Sequence, residues 1–307
     1  MLARNSRRAY TDIMARRYFF IVNPMAGKGR HLSYVRDIEQ FCSKANIPYQ
    51  IQITTAPGHA TQLAKSAASA HDVIVAVGGD GTVNEVIKGM YATPALLGIL
   101  PTGSGNDFAH QLSYSADVKR SLEILARART KHIDLCQING ERIMCNGFGV
   151  GFDGEVADHF REYTKFVSGF LAYFLSVLRT LPTFQFKSAQ LVLDDDRTIL
   201  SKVLLVAVCN GTTYGGGFKV APSAKMDDGL LTICMVKKIP KMYALRKLSS
   251  FMRGTHIHLP EVETYTAKKV YISVQPASVS QVDGEVSNTK KEFLLQILPQ
   301  TVSVIYS

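Results

Sequence analysis

Apolar and amphipathic segments alternate through the first part of the chain. Segments rich in aliphatic and aromatic residues predict strands over 18–22, 49–54, 73–77 and 96–100. Between them, apolar residues at helical spacing and a stretch rich in alanine predict helices over 32–45, 60–70 and 84–91. This alternation is typical of an α/β domain in which helices cover both faces of a parallel sheet.

The pattern changes after residue 134, where strands follow one another. They are predicted over 143–148, 188–193, 200–209, 230–236, 269–275 and 293–298, and helical stretches over 158–180 and 241–253 interrupt them. Strands in succession indicate a second, mostly antiparallel domain of the β-sandwich kind. We therefore expect an extension over 1–17, an α/β domain over 18–134 and a β-rich domain over 135–290. The last residues, 291–307, either complete the second domain or return to the first.

Composition narrows the class of protein. The 307 residues are 46% hydrophobic and 20% charged, which is typical of a globular chain. The longest apolar run, 166–178, is shorter than the roughly 18–20 residues of a membrane-spanning helix. The five cysteines are scattered and form no C-x-x-C pair, which argues against a disulfide framework or a zinc site and favours a reducing compartment.

The chain is basic. Its 35 Lys+Arg and 25 Asp+Glu give a net charge of +10, which suits nucleic acid, an anionic membrane or phosphorylated ligands. Residues 1–17 contain five arginines and one acid, Asp12, without the apolar core of a signal peptide. They predict a short basic extension, and Met14 is an alternative start to Met1.

Glycine-containing loops follow three of the predicted strands. They read N-P-M-A-G-K-G over 23–29, G-G-D-G-T over 78–82 and P-T-G-S-G-N-D over 101–107. In a parallel sheet these loops meet at the carboxyl edge, where ligands bind. Glycine lets backbone N–H groups approach a phosphate, and the helix predicted from Asn84 presents its positive end to the same anion.

An acidic residue lies inside the second glycine loop. The carboxylate of Asp80 would repel a phosphate unless a divalent cation lay between them, and Mg²⁺ uses carboxylates together with phosphate oxygens. Asp107, in the third loop, is a second candidate ligand. Simple turn glycines are the alternative, but three such loops at equivalent strand ends favour a phosphate site. The chain has no G-x-x-x-x-G-K-[ST] motif and no G-x-G-x-x-G motif after the first strand.

These loops resemble the catalytic domain of the diacylglycerol kinase family, which is shared with sphingosine kinases and bacterial soluble lipid kinases. The G-G-D-G-T element also occurs in NAD kinases and is related to phosphofructokinase motifs, so the resemblance implies a nucleotide-binding domain of that kind. It implies ATP contacts at Asn23, Pro24, Met25, Ala26, Gly27, Thr54, Gly78, Gly79, Asp80, Gly81, Thr82, Val83, Asn84 and Ser104. The chain departs from the usual pattern at Ala26 and Ser104, where Ser and Thr are commoner.

The resemblance extends to the second domain. It places the general base at Glu285, in the sequence D-G-E, with Asp283 in a supporting role and Asp80 helping to hold the metal. A D-G dipeptide alone also suits a hairpin turn.

The sequence K-M-D-D-G-L over 225–230 is a second acidic turn. The resemblance implies a structural Mg²⁺ held by Asp228 and by the main-chain oxygens of Lys225 and Leu230. A polar β-turn without a metal explains the same residues.

A basic segment near residue 240 is a candidate for contact with a lipid surface. Between Gly229 and Pro260 lie six basic residues and no acid, and apolar residues recur at helical spacing over 241–253. Such a helix suits an anionic lipid surface. A solvated basic face over a packed apolar stripe is the alternative. The aromatic residues around Phe166, Phe170, Tyr173 and Phe174 cover either acyl chains or only the core.

The sequence therefore predicts an ATP- and Mg²⁺-dependent kinase that phosphorylates a lipid hydroxyl. Diacylglycerol is the expected acceptor, while a sphingoid base, phosphatidylglycerol or another lipid alcohol stays open. We expect a cytoplasmic protein, peripherally bound to an anionic membrane, with no nucleic-acid partner because no reading motif is present. A homodimer stays open. The alternatives are an NAD kinase and a catalytically silent nucleotide-binding regulator on the same fold.

Overall fold

The chain divides into two compact units. The computed structural model describes residues 16–127, 129–163 and 170–307. One unit comprises the chain up to Ile133 together with Gln300–Ser307, and the other comprises Asp134–Pro299. The return to the first unit thus begins at Gln300 and not at 291. The predictions for 1–15, including the two candidate start methionines, and for Phe166 lie outside the described residues.

A parallel sheet forms the centre of the first unit. Its strands are β1 (Tyr18–Val22), β2 (Tyr49–Ile53), β3 (Val73–Gly78) and β4 (Leu96–Pro101). β1 pairs with β2 on one side and with β3 on the other, and β4 pairs with β3. Every residue of β1 and β3 is buried, which explains why these strands are apolar throughout.

Helices connect these strands. They are α1 (His31–Lys44), α2 (His59–Ala67), α3 (Asp80–Met90), α4 (Asp107–Gln111) and α5 (Val118–Arg127). The prediction that the third helix begins at Asn84 is wrong, since it begins at Asp80. First-turn N–H groups have no partner within the helix, so the glycine there costs little. The sequence G-G-D-G-T is thus itself a helix start.

The second unit is built from longer strands. They are β5 (Arg129–Ile138), which begins in the first unit, β6 (Arg142–Met144), β7 (Gly147–Gly151), β8 (Lys187–Leu193), β9 (Arg197–Cys209), β10 (Leu231–Lys237), β11 (Val262–Ala267), β12 (Lys269–Val282) and β13 (Glu285–Tyr306). The pairs β7–β9, β8–β9, β9–β10, β10–β11, β7–β12, β8–β12 and β12–β13 are antiparallel. The mostly antiparallel second domain is therefore confirmed.

Helices of the second unit pack on one side of these strands. They are α6 (Phe152–Tyr163), α7 (Phe170–Thr183) and α8 (Lys241–Arg253). The stretch predicted as helical over 158–180 is helical in its described residues, and it belongs to two helices, because His159 of α6 lies 2.8 Å from Thr180 of α7. Along β9, Val206 and Val208 belong to one apolar cluster, and Ala207 and Cys209 belong to the other, as the twofold period of a strand requires.

Membrane-spanning helices were sought along the described part of the chain. None of its helices is both long enough and apolar enough to cross a bilayer.

Candidate active site

Asn23 connects the end of β1 to the first turn of α3. Its Nδ2 donates to Thr82 Oγ1 at 2.9 Å, and its Oδ1 accepts the Met25 N–H at 2.9 Å. Its own N–H donates to the Val77 carbonyl at 3.0 Å. An asparagine can make both side-chain bonds because it carries a donor and an acceptor. The first and second glycine loops are thereby held together.

The second and third glycine loops contact each other through their backbones. A Cβ on Gly103 would lie 2.5 Å from the Gly79 Cα, and a Cβ on Gly78 would lie 2.3 Å from Thr82 Oγ1. The Thr102 N–H donates to the Gly78 carbonyl at 2.9 Å. These glycines are therefore required by close approach, which side chains would prevent.

Asn106 braces the third loop and was not among the predicted site residues. Its Oδ1 accepts the Gly103 N–H at 3.0 Å and its Nδ2 donates to the Gly103 carbonyl at 2.9 Å. It has a φ of 58°, in the left-handed region that Asn tolerates better than most residues. An asparagine directly before a helix start was the available sequence signal.

Asp80 lies where two helices begin. It is the first residue of α3, and its Oδ1 accepts the Phe108 N–H at 3.0 Å, which caps the start of α4. Asp107, the first residue of α4, is buried. A carboxylate is favourable at a helix start because the unpaired N–H groups give that end partial positive charge. The structure brings Asp80 and the start of α4 together, as the loop positions predicted.

The remaining predicted nucleotide contacts differ in exposure. Thr54 follows β2, and its N–H donates to the Val22 carbonyl at 2.9 Å. Ala26–Gly29 form a 3-10 turn. Met25 and Ser104 are exposed, whereas Val83 and Asn84 are buried within α3. Pro24, Ala26 and Gly27 are partly buried. The buried positions leave the backbone and the exposed loop residues as the available contacts.

Thr102 provides an independent indication of a ligand. Its side chain is buried, and its hydroxyl has no hydrogen-bond partner within the described residues. Buried polar atoms are almost always satisfied, by protein, water or a ligand. The residue directly precedes Gly103 in the glycine-rich edge, so this hydroxyl fits a polar ligand there.

In the second unit, the D-G dipeptide closes a two-residue hairpin between β12 and β13. Val282 pairs with Glu285 across it. Asp283 and Gly284 have φ of 52° and 83°, as a type I′ turn requires. The hairpin interpretation of this sequence is therefore confirmed, and Glu285 is the first residue after the turn.

The Asp283 carboxylate binds backbone. Its oxygens accept the N–H groups of Cys145, Asn146 and Gly147 at 2.8, 2.8 and 2.9 Å. These bonds take the donors that a continuous strand would use, so the strand predicted over 143–148 is wrong and is divided into β6 and β7. Asp283 fixes the turn, and a supporting role toward Glu285 stays a prediction.

Glu285 forms an ion pair with Arg142. The Arg142 Nη2 lies 2.7 Å from Glu285 Oε2, and Nη1 donates to Ser287 Oγ at 2.6 Å. The Glu285 side chain is 51% exposed, so this carboxylate is open to solvent. Sequence reasoning missed Arg142, because nothing in its local sequence indicates a partner on a distant strand.

Behind the turn lies a buried polar chain. Gln281 Oε1 accepts the Gly284 N–H at 2.9 Å, and Gln281 Nε2 donates to Asp153 Oδ2 at 3.0 Å. The Tyr214 hydroxyl donates to the same Asp153 oxygen at 2.9 Å. Burial raises the pKa of the Asp153 carboxyl above its ordinary 3.8, although the hydrogen bonds from Gln281 and Tyr214 lower it. Burial also raises the pKa of Tyr214 well above 10.0.

An apolar pocket lies beside this chain, within the second unit. It is lined by α7, α8 and strands, including Tyr173, Val177, Leu181, Leu245, Leu248 and Phe251. Asp153 and Tyr214 contribute polar groups to its wall, as do Lys247 and Glu261. The predicted aromatic stretch therefore contributes Tyr173 to a pocket. Such a pocket suits an apolar ligand with a polar group.

The acidic turn over 225–230 is braced by Asp134. The Gly229 N–H donates to Asp134 Oδ2 at 2.7 Å, and Asp228 Oδ1 accepts the Leu230 N–H at 3.1 Å. Across the described residues, no three His, Cys, Asp or Glu side chains are grouped to hold a metal. The predicted cation at Lys225, Asp228 and Leu230 would rest mainly on main-chain oxygens, and it stays a prediction.

Two known families match the chain. The match to the Diacylglycerol kinase catalytic domain covers residues 17–138, and that to the YegS C-terminal NAD kinase beta sandwich-like domain covers 147–306. The Diacylglycerol kinase of Staphylococcus saprophyticus subsp. saprophyticus is 30% identical over 278 residues, 89% of this chain and 90% of that protein. The chain belongs to the diacylglycerol kinase family. A relative in this family, the Diacylglycerol kinase of Bacillus subtilis (strain 168), is 29% identical over 269 residues, 86% of this chain and 88% of its own.

Solved structures agree with the family assignment. A Bacillus anthracis str. Sterne protein, provisionally assigned as a diacylglycerol kinase, has a TM-score of 0.81 and 25% identity, covering 95% of this chain and 97% of its own. An NAD kinase from Archaeoglobus fulgidus, in complex with ATP, has a TM-score of 0.54 and 13% identity, covering 94% and 93%. The second likeness concerns the fold alone. The two-domain, NAD kinase-like fold implied by the sequence is thereby confirmed.

Proposed function

We propose that the chain is an ATP-dependent lipid kinase that transfers the γ-phosphoryl group to the hydroxyl of diacylglycerol and gives phosphatidic acid. The observation that carries the lipid acceptor is the apolar pocket, which belongs to the same unit as Glu285. The ribose of NAD, the alternative acceptor, carries no acyl chain that would fill such a pocket. The names of the family relatives support the same acceptor.

Nucleotide binding is assigned to the glycine-rich edge of the first unit. The start of α3 offers backbone N–H groups to phosphate oxygens, and the close contact of Gly79 with Gly103 keeps side chains away from them. Asp80 and Asp107 would hold Mg²⁺, which neutralises charge on the phosphates when bound. Asn23 keeps the first loop against α3, so that the predicted contacts over 23–27 act with those over 78–84.

Proton acceptance is assigned to Glu285. A solvent-open carboxylate on a rigid hairpin can take the hydroxyl proton as the oxygen attacks. Arg142 keeps this side chain in one orientation, and Asp283 fixes the turn from below through backbone N–H groups. The structural cation at Asp228 would stabilise a different turn of the same unit.

Peripheral binding to an anionic membrane belongs to the same proposal. Met242 on α8 and Leu171 on α7 are 66% and 51% exposed, and Leu178 on α7 is 38% exposed. Arg246 and Arg253 are exposed on α8. Apolar side chains beside basic ones suit the interface of an anionic bilayer.

The experiment is transfer of labelled phosphate from ATP to diacylglycerol in mixed micelles, with NAD as a parallel acceptor. Phosphatidic acid is the expected product. Glu285→Gln should lower turnover at least about a hundredfold. Glu292→Gln, an exposed acid on the same strand, is the matched control and should stay near wild type. NADP formation without lipid phosphorylation would contradict the proposal of a lipid acceptor. Undiminished turnover in Glu285→Gln would contradict the assignment of Glu285 as the base.

A further inference from the structure

Gln281 is a buried amide with two partners that lie on opposite sides of it. It is 2% exposed and is the second-last residue of β12, with Val282 between it and the hairpin turn. Its oxygen accepts the Gly284 N–H, and its nitrogen donates to Asp153. One side chain therefore connects the turn that carries Glu285 with a residue of the pocket wall.

The pocket end of this connection is itself held by a second bond. Asp153 Oδ2 accepts both the Gln281 amide and the Tyr214 hydroxyl, and Tyr214 lies 7% exposed in the pocket wall. Tyr214 also packs against Gly147, where a Cβ would lie 2.7 Å from its ring. A ligand that fills the pocket would therefore contact Asp153 and Tyr214, whose side chains are already held in place.

The turn end has equally little freedom. Only Asp283 and Gly284 separate β12 from β13, so a shift of the Gly284 amide moves Glu285, the next residue. Asp283 is held to backbone by its carboxylate and by its own N–H, which donates to the Gly147 carbonyl, and the Gly284 N–H adds a further anchor of the turn. Small displacements of a catalytic group cost large factors in rate.

We infer that Gln281 is a positioning residue that couples filling of the apolar pocket to the orientation of Glu285, so that an acyl chain raises turnover as well as affinity. The inference rests on the proposed lipid kinase function. Part of the binding energy of the remote acyl chain orients the base. The acyl chain therefore raises kcat and does not only lower KM. Asp153, Gln281 and Gly284 form the connection.

The kinetic test compares a long-chain with a short-chain acceptor, dioctanoylglycerol and diacetylglycerol, at saturation. Wild type should turn over the long-chain acceptor about tenfold faster. Gln281→Met, similar in shape but unable to make either bond, should lower kcat for dioctanoylglycerol to the diacetylglycerol value and leave the KM for ATP unchanged. Gln281→Glu keeps the oxygen for the Gly284 N–H but loses the donor to Asp153, so it should lose the kcat difference as Gln281→Met does. Asp153→Asn keeps an oxygen that accepts the Gln281 amide, so it should retain most of the wild-type difference.

Two controls separate positioning from stability. Val274→Ala makes a cavity in the same strand, and Gln190→Met changes an exposed glutamine of the same unit. Neither should change the ratio of the two kcat values. A wild-type ratio of one, or a Gln281→Met variant that keeps the wild-type ratio, would overturn the inference while leaving lipid phosphorylation intact. Absence of lipid phosphorylation in wild type would instead overturn the proposed function.

A second measurement does not depend on activity. Hydrogen exchange at the Gly284 amide should slow at least about fivefold when dioctanoylglycerol is added to wild type without ATP, because the pocket then holds Asp153 and Gln281 in place. In Gln281→Met the lipid should have no effect on this amide. Equal slowing in both proteins would overturn the coupling.

Discussion

At the scale of single residues, the contact between Gly79 and Gly103 sets the geometry of the phosphate-binding edge. A Cβ at Gly103 would lie 2.5 Å from the Gly79 Cα and 2.9 Å from Asn106 Oδ1. Backbone cannot move aside as a flexible side chain can. Gly103→Ala should therefore lower the free energy of unfolding by about 2 kcal/mol. It should raise the KM for ATP more than about tenfold, because backbone N–H groups that are shifted from their positions no longer bind the phosphate groups of ATP. Urea denaturation and steady-state kinetics measure the two effects.

Gly81 offers the matched control for stability. Apart from its chain neighbours and the backbone of its own helix, no atom lies within 4 Å of a Cβ at this position, which is in the first turn of α3. Gly81→Ala should leave stability unchanged or raise it, because alanine favours a helix by up to about 1 kcal/mol over glycine. A Gly103→Ala protein with wild-type stability and wild-type ATP kinetics would contradict the argument from close approach.

The site residues that could be predicted are those with a local signature. Asp80 and Glu285 belong to short motifs whose glycines, acids and strand contexts are visible in the sequence. Arg142 and Gln281 have no such signature. Arg142 meets Glu285 across 143 positions of sequence, and Gln281 becomes informative only when Asp153 lies beside it. Long-range pairing decides such roles, and a single sequence does not contain it.

At the scale of elements, Asp80 connects the starts of two helices and thereby has a structural role beside its proposed catalytic one. Its Oδ1 caps α4 through the Phe108 N–H. Asp80→Ala should lower the free energy of unfolding by about 1 kcal/mol, whereas Asp80→Asn keeps the accepting oxygen and should cost at most a few tenths. Both variants should lose at least about a hundredfold in turnover, because neither retains the charge for Mg²⁺.

Thermal unfolding and label transfer on the same preparations separate the two roles. Asp117 is a suitable comparison, since its Oδ1 accepts the Lys119 N–H near the start of α5 and it belongs to none of the glycine loops. Asp117→Ala should lose stability without losing turnover. Wild-type turnover in Asp80→Asn would remove Asp80 from the metal site, and unchanged stability in Asp80→Ala would remove the capping role.

The predicted bounds of elements are wrong where side-chain hydrogen bonds, or the residue preferences of helix ends, outweigh the periodicity of apolar residues. The strand predicted over 143–148 is interrupted because the Asp283 carboxylate takes its N–H groups. The helix predicted from Asn84 begins at Asp80, because its first turn accepts glycine and polar residues. In contrast, β1 and α8 have their predicted bounds, since an unbroken apolar run and a clear helical period identify them.

At the scale of the whole molecule, the change from alternating elements to successive strands identified two units of different construction. Their boundary lies at Ile133 and Asp134, close to the predicted residue 134. The return of the chain end was harder to place. It begins at Gln300, where Ser303 and Val304 pair with β4 within the first unit, and a pattern of apolar residues does not identify the partner of a strand.

The net charge of +10 favours binding to anionic membranes, and the position of the basic residues predicts which surface binds. Arg246 and Arg253 are exposed on α8, near exposed Met242. Each basic residue at an anionic surface contributes about 1 kcal/mol, so replacing both arginines with Gln should weaken binding to phosphatidylserine-containing vesicles roughly thirtyfold. Replacing Lys290 and Lys291, exposed on β13, removes the same charge elsewhere and should change binding less than about threefold. Vesicle sedimentation at several salt concentrations measures both double variants, because the contribution of α8 should decline as salt screens it. Equal losses in the two variants would assign membrane binding to net charge alone and would contradict a docking role for α8.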